Sequence, residues 1–238
     1  MSGSAATAPG SVAVIGAGAG LSAAVARLFA REGHPVTLGA RNPDKLADLC
    51  AETGAQALAC DAVDPDAVDR FFDAVAAAQG APEVVVFNPS ARSRGPVAEL
   101  DREAVRHSLM VSCYAGFLVG QRAARDMLAA GRGSILFTGA SASVKGFAQS
   151  APFAMGKFGL RGLAQSMARE LAPKNIHVAH FVIDGGIGRP DPDPREGRGG
   201  PDSQLDPDAI ASAYLFAHRQ PRSAWTWEFE LRPWTESF

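Results

Sequence analysis

Residues Ser11–Ser22 read SVAVIGAGAGLS, and this stretch decides the fold. A short apolar run, Ser11–Ile15, stops at three closely spaced glycines, Gly16, Gly18 and Gly20. The chain then passes directly into Leu21, Ala24, Val25, Leu28 and Phe29, spaced as one apolar face of a helix. A strand that turns into a helix through glycines predicts the opening unit of an α/β domain. The same alternation continues outward. Pro35–Ala40 reads as a second strand, and Asn42-Pro43 opens a second helix with Asn42 as N-cap and Pro43 in the first turn. Ala55–Cys60 reads as a third strand, Pro65–Ala78 as a helix and Glu83–Phe87 as a fourth strand. A long helical region covers Asp101–Leu128. Strand Ser134–Thr138, helix Ala151–Ala172 and strand Ile176–Ile183 follow.

Near-continuous apolar strands alternating with helices predict a parallel sheet covered on both faces. The expected fold is a single-domain α/β structure, a Rossmann-type doubly wound parallel sheet of about seven strands whose ligands bind outside the carboxyl ends of the strands. The alternation breaks at 184–205, a stretch rich in Gly, Pro and Asp (Gly185, Gly186, Pro190, Pro192, Pro194, Gly199, Gly200, Pro201). It reads as a mobile substrate loop at about 184–206, over the cleft, rather than as a linker. One helix near Asp206–His218 and one strand near Ala224–Leu231 follow, too little for a second core. The domain therefore spans 11–238, after a small, polar and flexible Met1–Gly10 with no signal-peptide pattern.

Composition narrows the function. The 238 residues carry a net charge of −2, so a broad nucleic-acid or anionic-membrane surface is not expected. No apolar run reaches the roughly 18 residues of a membrane helix. Three scattered cysteines, Cys50, Cys60 and Cys113, suit a reducing cytoplasm and neither a disulfide framework nor a metal site. Thirteen phenylalanines stand against two tyrosines, Tyr114 and Tyr214, so any chemistry that needs a phenol has two candidates.

Glycines between a strand and a helix let backbone N–H groups approach a pyrophosphate, and the helix N-terminus favours its charge. At the end of the second strand, Gly39-Ala40-Arg41-Asn42 offers Arg41 where NAD-preferring folds place a carboxylate. An arginine there suits the 2′-phosphate of NADP(H), which is the expected cofactor.

With these motifs in order, residues 11–187 resemble the short-chain dehydrogenase/reductase family. Its T-G-x-x-x-G-x-G appears as Ile15-Gly16-Ala17-Gly18-Ala19-Gly20-Leu21-Ser22. Its N-A-G appears as Asn88-Pro89-Ser90, and its proline-glycine after the sixth strand as Asp184-Gly185. The resemblance implies a cofactor set of Gly16, Gly18, Gly20, Leu21, Arg41, Asp61 (against adenine), Ala62, Asn88, Lys157, Gly185 and Ile187.

It also locates what is missing. In the family a tyrosine exchanges the proton at the substrate oxygen, and a lysine four residues on holds the nicotinamide ribose and lowers the phenol's pKa. A serine polarises the carbonyl, and an asparagine orders a relay water. Here the tyrosine position is Phe153, in Phe153-Ala154-Met155-Gly156-Lys157. The serine position falls on Gly139-Ala140 with Ser141 one step off register, and the asparagine position on Ser112. Only Lys157 is kept. A positioned general acid is worth about 10²–10⁴-fold, roughly 3–5 kcal/mol of barrier, so the family's proton transfer does not carry over.

Substitutes were sought among the remaining polar residues. Tyr114 lies about 200° around its helix from Ser112 and is expected to pack between helices. Tyr214 is expected in a core or interface. Ser141 and Ser143 follow the fifth strand and either reach the cleft, with Ser141 a candidate catalytic hydroxyl, or read as turn hydroxyls. Asp184, at the end of the sixth strand, is either a general base that also stabilises positive charge or an Asx-turn into Gly185-Gly186. His177 and His180 point to opposite faces and form no metal pair; His180 is a secondary candidate acid.

The leading expectation is an atypical NADP(H)-dependent oxidoreductase acting on a small molecule by chemistry that needs little acid catalysis. Examples are reduction of an iminium carbon, or protonation by water or Asp184. The alternatives are a non-catalytic nucleotide-binding or scaffold module and a non-redox lyase, isomerase or cyclase using the same cleft. A homodimer or homotetramer is expected, with Leu160, Leu163, Met167 and Leu171 on one stripe of the long helix and Ala164 and Ala168 beside it; the stripe packs on a partner, on the sheet, or on both. Trp225, Trp227 and Trp234 mark a tail that departs from the family's glycine-rich ending, so the substrate pocket there is expected to be recast or closed by a neighbouring subunit.

Overall fold

The computed structural model describes residues 9–188, 200 and 202–236. Most of Met1–Gly10 and most of the 184–206 loop read from the sequence, including Pro190, Pro192, Pro194, Gly199 and Pro201, lie outside the described residues.

Seven strands form one sheet: β1 Val12–Ile15, β2 Val36–Ala40, β3 Gln56–Ala59, β4 Val84–Phe87, β5 Gly133–Thr138, β6 Ile176–Ile183 and β7 Glu228–Leu231. Their order is β3-β2-β1-β4-β5-β6-β7, and every pairing is parallel. The order reverses between β1 and β4, which opens a crevice at their carboxyl ends.

Both faces of the sheet are covered, which is why the central strands are apolar throughout. Val12 and Val14 join a core with α1 (Leu21–Arg31), α2 (Ala47–Thr53) and α7 (Pro207–Arg219). Ala13 and Ile15 face the other way, into a core with α3 (Pro65–Gln79), α5 (Ala115–Ala130) and α6 (Ala151–Leu171). α3 and α7 start at Asp64 and Asp206, and α4 (Arg102–Leu109) at Asp101. Each of these aspartates accepts a backbone N–H of the first turn. Asn42 accepts from Asp44, although the turn it opens, Pro43–Leu46, is 3₁₀ and precedes α2.

Two features differ from the sequence reading, and a third chooses between its alternatives. The long helix read over 101–128 contains a π-helical turn, Met110–Tyr114, between α4 and α5. β7 is shorter than Ala224–Leu231. Gln220 takes the Thr226 amide with its side-chain carbonyl (2.9 Å), so the backbone there bonds to a side chain rather than a ladder, and Trp225 stacks on His177. The α6 stripe faces the sheet: Leu160, Ala164 and Leu171 are core residues and Leu163 and Met167 pack on them. The outward apolar residues are instead Met155 and Phe158, with Tyr114 and Phe117 stacked on each other nearby in the chain. Tyr114 is 40% exposed and is not packed between helices of this chain.

Candidate active site

The loop between β1 and α1 has the shape its glycines promised. Gly16 sits at φ +80°, and a Cβ there would meet the Pro89 backbone nitrogen at 2.7 Å. It must therefore be glycine for both reasons. At Gly18 and Gly20 a Cβ would meet nothing within 4 Å, so the loop faces open space. α1 begins there with no side-chain cap and no acid in its first turn. Its leading N–H groups and positive dipole end are turned toward that space, as an anion requires. Ser22 donates to the Gly16 carbonyl (3.1 Å) and accepts from the Asn88 amide (2.7 Å), which fastens the loop to the end of β4. Arg41 is exposed just past β2. Asp61 is exposed past β3, where its carboxylate accepts from Val63 N–H (3.3 Å) beside buried Ala62. The residues present fit a dinucleotide laid across the ends of β1, β2 and β3.

This loop continues into a cleft of about 920 Å³. Lys157 lies at its wall, 2% exposed, with Nζ donating to the Thr138 carbonyl (2.7 Å). Burial, and then the charge of Arg92, bring its pKa down to about 7. Phe153 clusters with Ala140 and Ala142. The two positions where hydroxyls were expected thus form one apolar surface. The Arg92 guanidinium sits over the Phe153 ring, 4.0 Å from its centre. Arg94 lines the same cleft.

Ser112 is fully buried in the π turn, and its hydroxyl is committed to Ala91: it accepts from the Ala91 N–H (3.1 Å) and donates to its carbonyl (3.3 Å). Ser108 donates to the same carbonyl (2.9 Å). The hydroxyl at the asparagine position therefore clamps the residue before Arg92 and does not face the cleft as a relay.

Asp184, read as a base or as an Asx-turn, sits within a cluster of ion pairs. Its carboxylate takes Lys145 (3.1 Å), Arg232 (3.3 Å) and the Ser141 hydroxyl. Burial opposes its ionisation. The hydrogen bonds from Ser141 and Lys145 and the charges of Lys145 and Arg232 outweigh that and hold the carboxyl below its ordinary range. It is ionised at neutral pH, so it has no proton to donate, and its charge is matched within the chain. Ser143 is a turn hydroxyl as read, accepting from Ala140 N–H (3.1 Å). His180 is also excluded as an acid near neutral pH. It is fully buried with Nδ1 on Glu228 (3.1 Å), and burial brings its pKa down to about 4. His177 lies on the opposite face, stacked on Trp225. Tyr214 is core: stacked on Phe181 and bonded to the Thr138 hydroxyl (2.8 Å).

Gly185 passes so close to the tail that a Cβ would meet Pro233 at 2.8 Å, and Ile187 bridges to Leu205. Gly185 and Ile187 both line the cleft. Arg92 and Arg94 line the cleft and were not singled out by the sequence reading. The signal was present: two cations in the loop after β4, at the carboxyl edge of the sheet. No group of three His, Cys, Asp or Glu able to hold a metal occurs among the described residues.

A family model described as short chain dehydrogenase matches residues 11–187. The 3-oxoacyl-[acyl-carrier-protein] reductase MabA of Mycobacterium tuberculosis (strain ATCC 25618 / H37Rv) is 33% identical over 177 residues, 74% of this chain and 69% of that protein. The crystal structure of a short-chain dehydrogenase from Rhodopseudomonas palustris superposes with a TM-score of 0.81 at 44% identity, covering 94% of this chain and 99% of that one. A metagenomic short-chain oxidoreductase in complex with NADP superposes with a TM-score of 0.81 at 29% identity, covering 95% and 98%.

Proposed function

The chain belongs to the short-chain dehydrogenase family, and we propose that it is an NADP(H)-dependent oxidoreductase of a small molecule, with Lys157 as the one kept member of the family's catalytic set. The carrying observation is the continuity of the open glycine cradle with a cleft in which Lys157 is buried at the wall. The burial of that ammonium supports a chemical role for it beyond holding the nucleotide. The nucleotide would be held by the glycine loop, the α1 N-terminus, Arg41 and Lys157, and it would supply the hydride.

The proton is held at Lys157 Nζ. With a pKa brought to about 7 by burial and Arg92, the ammonium is matched to proton exchange at neutral pH. This replaces the phenol absent at Phe153 and needs no contribution from Asp184. The cations Arg92, Arg94 and Lys157 in one cleft also disfavour an iminium substrate, which carries the same sign of charge.

The test is nucleotide binding by fluorescence titration. NADPH is expected to bind more tightly than NADH. Arg41→Ala is expected to weaken NADPH about tenfold or more, the loss of one charged hydrogen bond, and to leave NADH unchanged. No binding of either nucleotide at millimolar concentration would end this reading.

The assembly is a homodimer through the exposed side chains of Tyr114, Phe117, Met155 and Phe158, which lie on elements that pack on one another, α6 against the π turn and α5. A dimer by sedimentation that Phe158→Glu dissociates would bear this out, and a wild-type monomer at micromolar concentration would remove it. The three cysteines are unbridged, in keeping with action in the cytoplasm.

A further inference from the structure

We propose that the mouth of the cleft is a carboxylate-binding subsite, in which the Phe153 ring seats the Arg92 guanidinium to grip a planar anion on a substrate with an apolar body. The inference rests on the oxidoreductase reading for its meaning and names the substrate class of that site: a carbonyl or alcohol compound bearing a carboxylate.

A guanidinium lying on an aromatic face is held through its own face. Its five N–H donors lie in the plane and stay directed sideways. An arginine can therefore keep a partner within the chain and still present a fork to a carboxylate. Phenylalanine suits this role, because the ring is kept while the hydroxyl is lost.

The loop that carries Arg92 is fixed from behind. Both backbone polar groups of Ala91 are taken by Ser112, and its carbonyl also by Ser108. These serines are four residues apart, Ser112 within the π turn and Ser108 in the turn before it. The departures from the family at 112 and 153 thus converge on one side chain: one holds the backbone before Arg92, the other holds its guanidinium.

The surroundings match an anion with an apolar body. Arg94 adds a second cation, and Phe153, Ala140 and Ala142 form an apolar wall. No Asp or Glu is among the described residues lining the cleft, and nearby Asp184 is neutralised by Lys145 and Arg232. An anion entering here meets Arg92 and Arg94 in a partly desolvated site, where a charge–charge contact is stronger than in water.

Calorimetric titration with benzoate and with its uncharged isostere benzamide tests this, at low salt, on nucleotide-free and NADPH-loaded protein. Wild type is expected to bind benzoate at least about tenfold more tightly than benzamide. Arg92→Met is expected to raise the benzoate Kd about tenfold or more, with the benzamide Kd unchanged and the protein folded by circular dichroism. Arg92→Lys is expected to recover only part, because an ammonium lacks the fork. Phe153→Leu is expected to weaken benzoate severalfold by removing the seat. Equal affinity for the two probes, no benzoate binding at millimolar concentration, or an Arg92→Met protein that binds benzoate like wild type would each overturn the subsite. Benzoate selectivity in a protein that binds neither NADPH nor NADH keeps the subsite and removes the oxidoreductase reading. Nucleotide binding without benzoate selectivity does the reverse.

Discussion

Replacing Lys157 by methionine is expected to stabilise the protein and to disable it. The Lys157 ammonium is 2% exposed, and burial together with Arg92 lowers its pKa from 10.5 to about 7. The folded state thus disfavours a charge that the unfolded chain carries freely. For a lowered lysine the penalty is complete below pH 7 and fades as pH rises to 10.5, where the unfolded lysine also loses its proton. At about 1.4 kcal/mol per unit this is of order 4–5 kcal/mol, from which the lost hydrogen bond to Thr138 subtracts about 1–3 kcal/mol. Methionine has a similar volume and no charge. The net gain of about 2 kcal/mol corresponds to roughly 4–8 °C in Tm for a domain of this size. It should be full at pH 7 and below, cross zero at about pH 9, where the fading penalty equals the lost hydrogen bond, and reverse sign by pH 10.5. Turnover should fall about 10²–10⁴-fold, as for loss of a positioned acid. Thermal unfolding at pH 7 and pH 10 with parallel assays checks both parts. A variant less stable than wild type at pH 7 would contradict the argument.

Acidification is expected to produce the other large effect. Burial lowers both His180 and His218 from 6.5 to about 4, against the opposing pull of Glu228 on the first and Glu83 on the second. Burial also lowers His177. A histidine held neutral by folding contributes stability that is full above pH 6.5 and is lost as pH falls toward 4, because the unfolded chain takes up the proton first. Each of the two contributes up to about 3 kcal/mol, and together they rival a large part of the 5–15 kcal/mol typical of a folded domain. Denaturant unfolding at pH 7, 5.5 and 4.5 should show a steep fall in stability across this window. His218→Gln should flatten the fall while keeping an acceptor for Ser134, which lies 3.0 Å from His218 Nδ1. Equal stability at pH 7 and pH 5 would rule the account out.

The sequence carried the sheet because the forces that shape it are local or periodic. The period-two and period-3.6 patterns in 11–31 are readable without knowing any neighbour. Gly16, Gly18 and Gly20 were legible as a cradle because a backbone that must be bare at a strand end has few other purposes. The absence of a phenol at 153 was a matter of identity alone.

What each polar group does was decided by tertiary contact. Asp184 is a carboxylate in any reading, but Lys145 and Arg232 make it a structural ion rather than a base. Ser112 looked like a remnant of a relay, and a π turn brings its hydroxyl to Ala91. The α6 stripe was visible, but only packing chose the sheet over a partner. The sequence by itself therefore determined a parallel α/β domain, its nucleotide cradle and the loss of the family's acid. The structure alone decided that Arg92 lies on Phe153, that Lys157 is desolvated, and that Asp184 is spent. The physical reason is range: backbone preference acts within a few residues, whereas desolvation and charge pairing depend on which distant residues the fold brings together.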